Sequence, residues 1–311
     1  MNKALFSSLI IVFLTLLIIL TGRPVLAQSV SLTLKPAVYE FLIQPGKTII
    51  LQYQLSNLDD PVNGLITVKP LAPQAATGDL QIASETGANI AIIGDSRLPF
   101  EKPVILTKGE TITFQITLQL ADQVKEKDYY YGVIFQTQPQ PAREGTATIN
   151  VRAATTSLLV LHVTRTGDLE KNIHLASVDI KSNFKLKLLG KNYAVVDVFA
   201  PIPLVLTVQN AGKNAGPVHG AVELSTWFRQ KQSYAISSET IYADSQKTLN
   251  LIIPPRLPGL YRIDARLVGG KTGSVEQSTV SVLVLPLKLL IFLSAGFVIG
   301  LAVFFYFLHT N

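Results

Sequence analysis

The chain has 311 residues, enough for about two domains, and it is 48% hydrophobic but only 15% charged. It contains no cysteine, which excludes disulfide bonds, thiol catalysis and cysteine-ligated zinc. Without Lys3, Arg23 and Lys288, the region 28–285 keeps 24 basic and 21 acidic residues, a net charge of +3, and this weak charge excludes a typical nucleic-acid-binding protein.

The first 27 residues have the layout of a secretory signal peptide. Lys3 precedes an uncharged run from Ala4 to Leu20, and Val25-Leu26-Ala27 supplies suitably small residues for cleavage after Ala27. We therefore predict that the chain is exported and that residues 1–27 are removed. Retention of this segment as a membrane anchor is the alternative, because the apolar run is long for a signal peptide.

Alternating apolar and polar residues then predict β-strands. In "TIILQYQLSN", Ile49, Leu51, Tyr53 and Leu55 fall on one face, and "ETITFQITLQL" repeats the pattern. Turn signals such as "LDDPVNG" separate these runs, and no interior stretch has a helical period. The predicted fold is all-β, with two tandem Ig-like antiparallel β-sandwich domains.

An internal repeat supports this division. The segment 51–57 matches 204–210 in three alternating apolar residues followed by asparagine, and both are followed by Pro-Val, a further strand and later a tyrosine-bearing strand. We predict domain 1 over residues 28–166 and domain 2 over 167–285. Domain 1 is lengthened by a polar insertion, residues 72–103, which is expected to be a loop with short extra strands, either binding a partner or simply solvated.

Three consecutive tyrosines open the strand "DYYYGVIFQT", which is predicted to pair with "ATINVRAATTSLLVLHV" through the tip "QPQPAREG". One interpretation is a tyrosine corner, in which a phenol bonds a nearby backbone group. In the other, one of the candidate ligand contacts Tyr129, Tyr130 and Tyr131 stacks on a carbohydrate.

A basic run, "DIKSNFKLKLLGKNY", contains four further candidate ligand contacts: Lys181, Lys185, Lys187 and Lys191. Clustered ammonium groups favour anionic wall polymers or lipid headgroups. The alternative is a sheet edge that lysines protect from aggregation.

The glycine-rich stretch "VQNAGKNAGPVHG" is predicted to be a turn. A phosphate-binding loop requires a helix directly after it, whereas "AVELSTW" reads as a strand. The stretch also matches "NLDDPVNG" of the first half in position, and its glycines suit a tight connection.

The C-terminal segment predicts a transmembrane helix over residues 286–308, followed by a short cytoplasmic tail, 309–311. Residues 289–308 are uncharged and nearly all apolar, long enough to cross about 30 Å of hydrocarbon. Export by the signal peptide would place the body outside the plasma membrane. Gly296 and Gly300 form a GxxxG spacing, a candidate helix–helix contact for a homodimer.

No catalytic motif is present: G-x-S-x-G, H-E-x-x-H and the P-loop are all absent. The spacing of His162, His174 and His219 is not that of a metal pair, so structural or solvent roles are favoured. We therefore predict no enzymatic activity, no metal and no cofactor.

The segments "SLTLKPAVYEFLIQPGKTIILQYQLSNLDDPV", "YYYGVIF" and "VLTVQNAGKNAGPVHGAVEL" resemble bacterial membrane-anchored Ig-like surface proteins. With a signal peptide and a C-terminal anchor, the chain is similar to the WxL-interacting protein family over most of residues 28–268. The resemblance implies a cell-surface protein that binds peptidoglycan through its first domain and partner surface proteins through its second. It assigns no ligand residues, because no binding motif matches residue by residue.

These observations predict a non-catalytic surface binding protein, anchored by a single membrane pass, that contacts cell-wall glycan or a secreted surface protein. The alternative is a structural accessory subunit of a membrane complex, assembled through the transmembrane helix.

Overall fold

The computed structural model describes residues 30–83, 89–138, 152–188, 190–226, 231–270 and 274–310. The first half contains β1 (Leu32–Lys35), β2 (Val38–Ile43), β3 (Thr48–Asn57), β4 (Val62–Pro73), β5 (Leu80–Ile82), β6 (Ile90–Gly94), β7 (Pro103–Leu106), β8 (Thr111–Leu120), β9 (Asp128–Thr137) and β10 (Ala154–Val163). The second half contains β11 (Ile173–Ile180), β12 (Phe184–Leu188), β13 (Lys191–Asp197), β14 (Ile202–Asn210), β15 (Gly216–Thr226), β16 (Lys231–Ile241), β17 (Ser245–Ile253), β18 (Gly259–Gly269), β19 (Ser274–Leu285) and helix α1 (Leu287–Thr310). The predicted all-β fold with a C-terminal apolar helix is confirmed.

The first sandwich consists of two sheets built from β1 to β10. One sheet has the order β1-β3-β8-β6, and the other has the order β2-β10-β9-β4-β5, with β7 also pairing with β4. The predicted alternation along β3 holds, because Leu51, Tyr53 and Leu55 are buried while Ile50, Gln52 and Gln54 are exposed. The Tyr53 ring stacks on Phe114 with centroids 5.6 Å apart, inside the core between the sheets.

The second sandwich has a three-stranded sheet of order β11-β14-β17 and a six-stranded sheet of order β12-β13-β19-β18-β15-β16. Its pairings reproduce those of the first sandwich: β14 with β17 corresponds to β3 with β8, and β15-β18-β19 corresponds to β4-β9-β10. A separate set of buried residues fills its core. The sequence repeat therefore marks equivalent strands in the two halves.

The repeated asparagines have the same role in both sandwiches. Asn57 ends β3 and Asn210 ends β14, and both are fully buried. The Asn57 amide donates to the carbonyls of Asp60 and Leu106, and the Asn210 amide donates to those of Asn214 and Ile241. Each side chain thus satisfies backbone carbonyls that the following turn would otherwise bury without partners.

Each sandwich departs from a purely antiparallel arrangement in one place. Strand β2 runs parallel to β10, and β13 runs parallel to β19. In the first sandwich the cause is a change of sheet: β1 pairs with β3, and after Pro36 the chain continues as β2 in the opposite sheet. Alternating apolar and polar residues show which face of a strand is buried, but they do not show whether the neighbouring strand is parallel or antiparallel. The sequence therefore did not predict these two parallel pairs.

Helix α1 follows β19 after one intervening residue, Pro286. Within the described residues it is the one helix long and apolar enough to cross a membrane, over Leu287–Tyr306, and this window is not buried against the sandwiches. Its first turn is fixed to the second sandwich, since the backbone N–H of Lys288 donates to the Asp197 carboxylate at 3.0 Å.

Candidate binding groove at the junction of the two sandwiches

A groove of about 470 Å³ opens where the two sandwiches meet, and we call it the junction groove. One wall comes from the end of β4 and the start of β9, and the other from turns of the second sandwich. Its lining residues are Pro70, Leu71, Ala72, Pro73, Ala83, Lys127, Asp128, Tyr129, Tyr130, Tyr131, Lys213, Ala243 and Asp244. The insertion predicted to bind a partner or to be solvated therefore contributes part of one wall.

An apolar contact closes the floor of the junction. Tyr130 meets Tyr242 edge to face, with ring centroids 5.0 Å apart and an interplanar angle of 74°. Val160 and Ala215 are buried beside Tyr130, so residues from both sandwiches share this small cluster. Aromatic edge-to-face pairs add to the stability gained from burial, so the contact holds the two walls together.

The carboxylate of Asp128 is the centre of the polar contact between the sandwiches. Its side chain is completely buried, yet it accepts four hydrogen bonds. Two come from the second sandwich, from the Asn214 amide at 2.6 Å and from the backbone N–H of Ala215. The other two come from Tyr130 at 3.0 Å and His162 at 2.6 Å. A buried carboxylate is tolerated only when its acceptor sites are occupied, and here donors from both sandwiches occupy them.

His162 links this carboxylate to the surface. Its Nδ1 lies 2.6 Å from Asp128, and its Nε2 lies 2.8 Å from the exposed carboxylate of Glu40 on β2. Burial by itself would lower the pKa of His162, but the hydrogen bonds to Asp128 and Glu40 outweigh it and raise the pKa above its ordinary value. Because ionised carboxylates only accept hydrogen bonds, the imidazolium form, with a proton on each nitrogen, satisfies both contacts.

The turn between β14 and β15 provides the second-sandwich side of this corner. The backbone carbonyl of Lys213 accepts a hydrogen bond from the backbone N–H of Asp128 at 3.0 Å. Asn214 also accepts a hydrogen bond from the N–H of Glu170 in the segment joining the sandwiches. The predicted turn is shorter than the glycine-rich stretch: it covers residues 211–215, and Gly216 and Gly220 belong to β15. Gly212, Gly216 and Gly220 do not adopt the positive φ expected for a tight connection. The turn also docks one sandwich onto the other.

A second docking point lies in the insertion. The backbone N–H of Gln246 donates to the carbonyl of Ala75 at 3.0 Å. Gly78 adopts a φ of +71°, and a Cβ at this position would lie 3.0 Å from the Gln246 carbonyl oxygen. The close approach of the two sandwiches therefore requires glycine here.

The three tyrosines have different environments. Tyr131 lies in the core of the first sandwich and Tyr130 in the junction, and both are buried; burial raises the pKa of Tyr131 to about 12. These two rings serve mainly packing and offer little surface to a ligand. Tyr129 is half-buried, with the Lys127 ammonium 5.2 Å from its ring centroid. Its phenol donates to the carbonyl of Lys125, the hydrogen bond of a tyrosine corner, and Tyr261 bonds Leu257 in the same way.

The four predicted lysine contacts lie elsewhere. Lys181, Lys185, Lys187 and Lys191 are all exposed, on or beside β12 and β13 at one edge of the second sandwich, and none of them lines the junction groove. Strand β12 also exposes Phe184 and Leu186. Both hypotheses for this run, ligand contact and protected edge, remain predictions.

The remaining predicted sites lie at the two ends of the chain. Gly296 and Gly300 lie on α1, with open space beside both Cα atoms. The cleavage site at Ala27 lies outside the described residues.

The junction does not have the arrangement that nucleophilic catalysis requires. Asp128 and His162 are arranged like an acid–base pair, but the far nitrogen of the imidazole is bonded to Glu40, whereas nucleophilic catalysis requires a hydroxyl or thiol there. Within the described ranges, no group of three or more histidine, aspartate or glutamate side chains is arranged to hold a metal ion.

Sequence reasoning missed the junction. Glu40, Asp128, His162 and Asn214 are distant in the chain and belong to no motif, so only the fold brings them together. One usable signal was the position of Asp128 immediately before the tyrosines, because a carboxylate at a strand entry beside large aromatic residues is expected to be at least partly buried.

Comparisons with known proteins concern the architecture. No protein-family model and no curated protein sequence matches the chain. Among solved structures, it is similar to the class 5 fimbriae chaperone CfaA, with 13% identity and a TM-score of 0.37, covering 82% of this chain and 100% of the other. It is also similar to a Salmonella enterica SafA pilin–SafB chaperone structure, with 11% identity, a TM-score of 0.36, and coverage of 83% and 98%. A third similarity is to the Pseudomonas aeruginosa CupB2 chaperone, with 8% identity, a TM-score of 0.33, and coverage of 79% and 98%.

Proposed function

We propose that the chain is a membrane-anchored, non-catalytic binding protein of a bacterial cell surface, and that it holds a cell-wall glycan in the junction groove. In this proposal domains 28–166 and 167–285 stand outside the plasma membrane, α1 crosses it once, and residues 309–311 face the cytoplasm. The observation that carries the proposal is a groove that combines an accessible aromatic edge with exposed lysines on walls held together by a buried network.

The lining of the groove suits a carbohydrate. Tyr129 and the prolines Pro70 and Pro73 offer apolar surface for sugar rings. Lys127 and Lys213 are exposed on opposite walls, and the negative charge of Asp128 is buried beneath its four donors. Lys213 is paired with the Glu170 carboxylate at 2.7 Å, and the exposed Asp244 adds a negative charge to the lining. The groove thus offers apolar surface together with both cationic and acidic groups for the hydroxyls and amides of a glycan, in keeping with the family resemblance of the sequence.

The anchor is supported by the length and composition of α1. Its apolar window, Leu287–Tyr306, spans about 30 Å at the helical rise, which equals the hydrocarbon thickness of a bilayer. None of this window is covered by the described sandwiches, so in water its apolar surface would remain exposed.

The test is sedimentation of the detergent-solubilised full chain with purified cell-wall sacculi, before and after removal of their proteins and anionic polymers. Binding to stripped sacculi is the expected result. Binding only to unstripped walls would replace the glycan with a surface protein or an anionic polymer as the partner. A chain that stays in the supernatant in both cases would contradict the proposal.

A charge reversal locates the binding site. Lys127→Glu is expected to weaken sedimentation with stripped sacculi several-fold, because it places a carboxylate beside Tyr129 in the groove. Lys108→Glu is the matched control, with the same change of charge in the exposed β7–β8 turn. That turn lies near the start of β4, roughly 30 Å from the end of β4 that lines the groove, at about 3.3 Å per residue. Equal loss in both variants would remove the groove as the site.

A second candidate function, an accessory subunit of a membrane complex, is favoured by the open Gly296 and Gly300 surface of α1. Exchange of α1 for an unrelated apolar helix distinguishes the two candidate functions. Binding to the wall would be retained after the exchange, whereas assembly through the helix would be lost.

A further inference from the structure

The end of the second sandwich from which α1 leaves carries exposed apolar loops. Strand β19 ends at Leu285, and its neighbours in the sheet are β13, which ends at Asp197, and β18, which begins at Gly259. The segment 198–201 therefore follows β13, and the segment 254–258 precedes β18, both at this same end. Neighbouring strands are about 4.8 Å apart, so both loops lie within roughly 10 Å of the start of the helix across the sheet.

Hydrogen bonds hold the first of these loops against the base of the helix. One oxygen of the Asp197 carboxylate accepts the N–H of Lys288 in α1 at 3.0 Å, and the other accepts the N–H of Phe199 at 2.9 Å. The N–H of Val198 donates to the carbonyl of Leu285 at 3.0 Å. The loop and the first turn of α1 are thus fixed to the same carboxylate and the same strand end.

The tips of the two loops expose large apolar side chains. Phe199 is 69% exposed and Leu257 is 79% exposed. The loops lie together, since Val198, Phe199, Arg256 and Leu257 line one shared cavity of about 430 Å³. Single exposed apolar residues are common on protein surfaces, but here two of them lie side by side at the base of an apolar helix.

The charges at this end are mostly positive. The segments 198–201 and 254–258 contain no acidic residue, and their one charged residue is Arg256. Lys181 and Lys288 lie at the same end, because the backbone N–H of Lys181 donates to the carbonyl of Pro203, the second residue of β14, and Lys288 is the second residue of α1. The acidic residue beside these loops is Asp197, whose carboxylate is occupied by the N–H groups of Phe199 and Lys288. Exposed apolar side chains with basic residues at the same end are typical of surfaces that bind at the headgroup level of a bilayer.

We propose that this end of the second sandwich rests on the lipid bilayer that receives α1, with Phe199 and Leu257 inserted at the level of the headgroups. The inference rests on the membrane anchoring of the proposed function and adds a second contact with the same bilayer. Under it, the second sandwich stands end-on at the membrane and the first sandwich, with the junction groove, points away from it. The sandwiches then have a fixed orientation toward the wall.

The test uses the full chain in lipid nanodiscs of phosphatidylcholine and phosphatidylglycerol. Because the chain has no cysteine, single-cysteine variants can be labelled with a nitroxide without altering other residues. The variants are Phe199→Cys and Leu257→Cys at the tips, Phe297→Cys on α1 as the lipid reference, and Ile105→Cys on the first sandwich as the water reference. Phe297 and Ile105 are both 68% exposed, so the two references are matched.

The measured quantity is the accessibility of each label to a water-soluble nickel chelate and to oxygen, which partitions into lipid. For the labels at Phe199→Cys and Leu257→Cys we expect the accessibility to the nickel chelate to be several-fold lower than for the label at Ile105→Cys. We expect their ratio of oxygen to nickel accessibility, which measures depth in the bilayer, to lie between the ratios of Ile105→Cys and Phe297→Cys. The inference would be overturned, and the anchor left intact, if the loop labels were as accessible to the nickel chelate as Ile105→Cys while the label at Phe297→Cys was shielded by lipid. If the label at Phe297→Cys is also as accessible to the nickel chelate as Ile105→Cys, both the anchor and the inference fail.

Discussion

Asp128 is a buried charge whose partners come from both sandwiches. Two of its four donors belong to the first sandwich and two to the turn of the second. Its removal would therefore take away the acceptor of the Asn214 amide, the N–H of Ala215, the Tyr130 phenol and Nδ1 of His162. Loss of one partner from a buried charged network costs about 3–5 kcal/mol, far more than the change of one surface residue.

We expect Asp128→Ala to lower the midpoint of thermal unfolding of the full chain by roughly 6–20 °C, from about 2–4 °C per kcal/mol for chains of this size. Circular dichroism in detergent micelles measures the change. Asp168→Ala is the control, since Asp168 is exposed in the segment between the sandwiches and its change is expected to stay within about 0.5 kcal/mol. Equal midpoints for the two variants would show that the buried carboxylate does not stabilise the junction.

His162 makes the stability of the junction depend on pH. Its pKa is raised in the folded chain above the ordinary 6.5, so its contribution is fully present below about pH 6.5 and is lost as pH rises through the folded-state pKa. The groups that face it are Asp128 on β9 and Glu40 on β2.

We therefore expect the gap in thermal midpoint between the wild type and His162→Gln to be largest near pH 6 and to shrink toward pH 8.5. His174→Gln serves as the control, because His174 lies on β11, away from this network. A gap that stays constant or widens with pH would contradict the assignment of an imidazolium between the two carboxylates.

At the scale of strands and helices, period-two alternation was sufficient to predict the buried faces. Along β8, Phe114, Ile116 and Leu118 are buried as predicted, because alternate side chains of a strand point to opposite faces. The asparagine that ends each repeat predicted equivalent turns, and both turns use that side chain in the same way. The parallel pairs and the junction were not predictable in this way, because they depend on which distant strands become neighbours.

The tyrosines show the same limit within a single strand. Alternation separates Tyr130 from its two neighbours, but it does not reveal that the face opposite the core is covered by the second sandwich. Tyr242 and Ala243, which contact Tyr130, lie more than a hundred residues further along the chain. The candidate site therefore depends on how the two sandwiches pack against each other, which the alternation of residues along a strand does not predict.

Helix α1 carries the prediction that belongs to this scale. If Gly296 and Gly300 let two helices approach closely, Gly300→Leu should abolish self-association in membranes, because the added side chain would occupy the contact surface. Leu293→Ile should leave it unchanged. Crosslinking of the full chain in vesicles measures both variants, and undiminished crosslinking of Gly300→Leu would exclude this dimer.

At the scale of the whole molecule, the junction determines whether the two sandwiches act as one body. The buried carboxylate, the Tyr130–Tyr242 contact and the hydrogen bond between Gln246 and Ala75 are spread across the interface. Contacts at several separate points restrict rotation in more than one direction. The groove between the sandwiches keeps its shape only if these contacts persist.

The most direct measurement of this claim is the distance distribution between nitroxides at Ile105→Cys and Ile252→Cys, one on each sandwich, in the full chain in nanodiscs. Both side chains are 68% exposed, so labels there do not disturb either core. With Asp128 present, pulsed electron paramagnetic resonance is expected to give one narrow distribution, and Asp128→Ala is expected to broaden it. A broad distribution in the chain that retains Asp128 would contradict the fixed junction and, with it, a persistent binding groove.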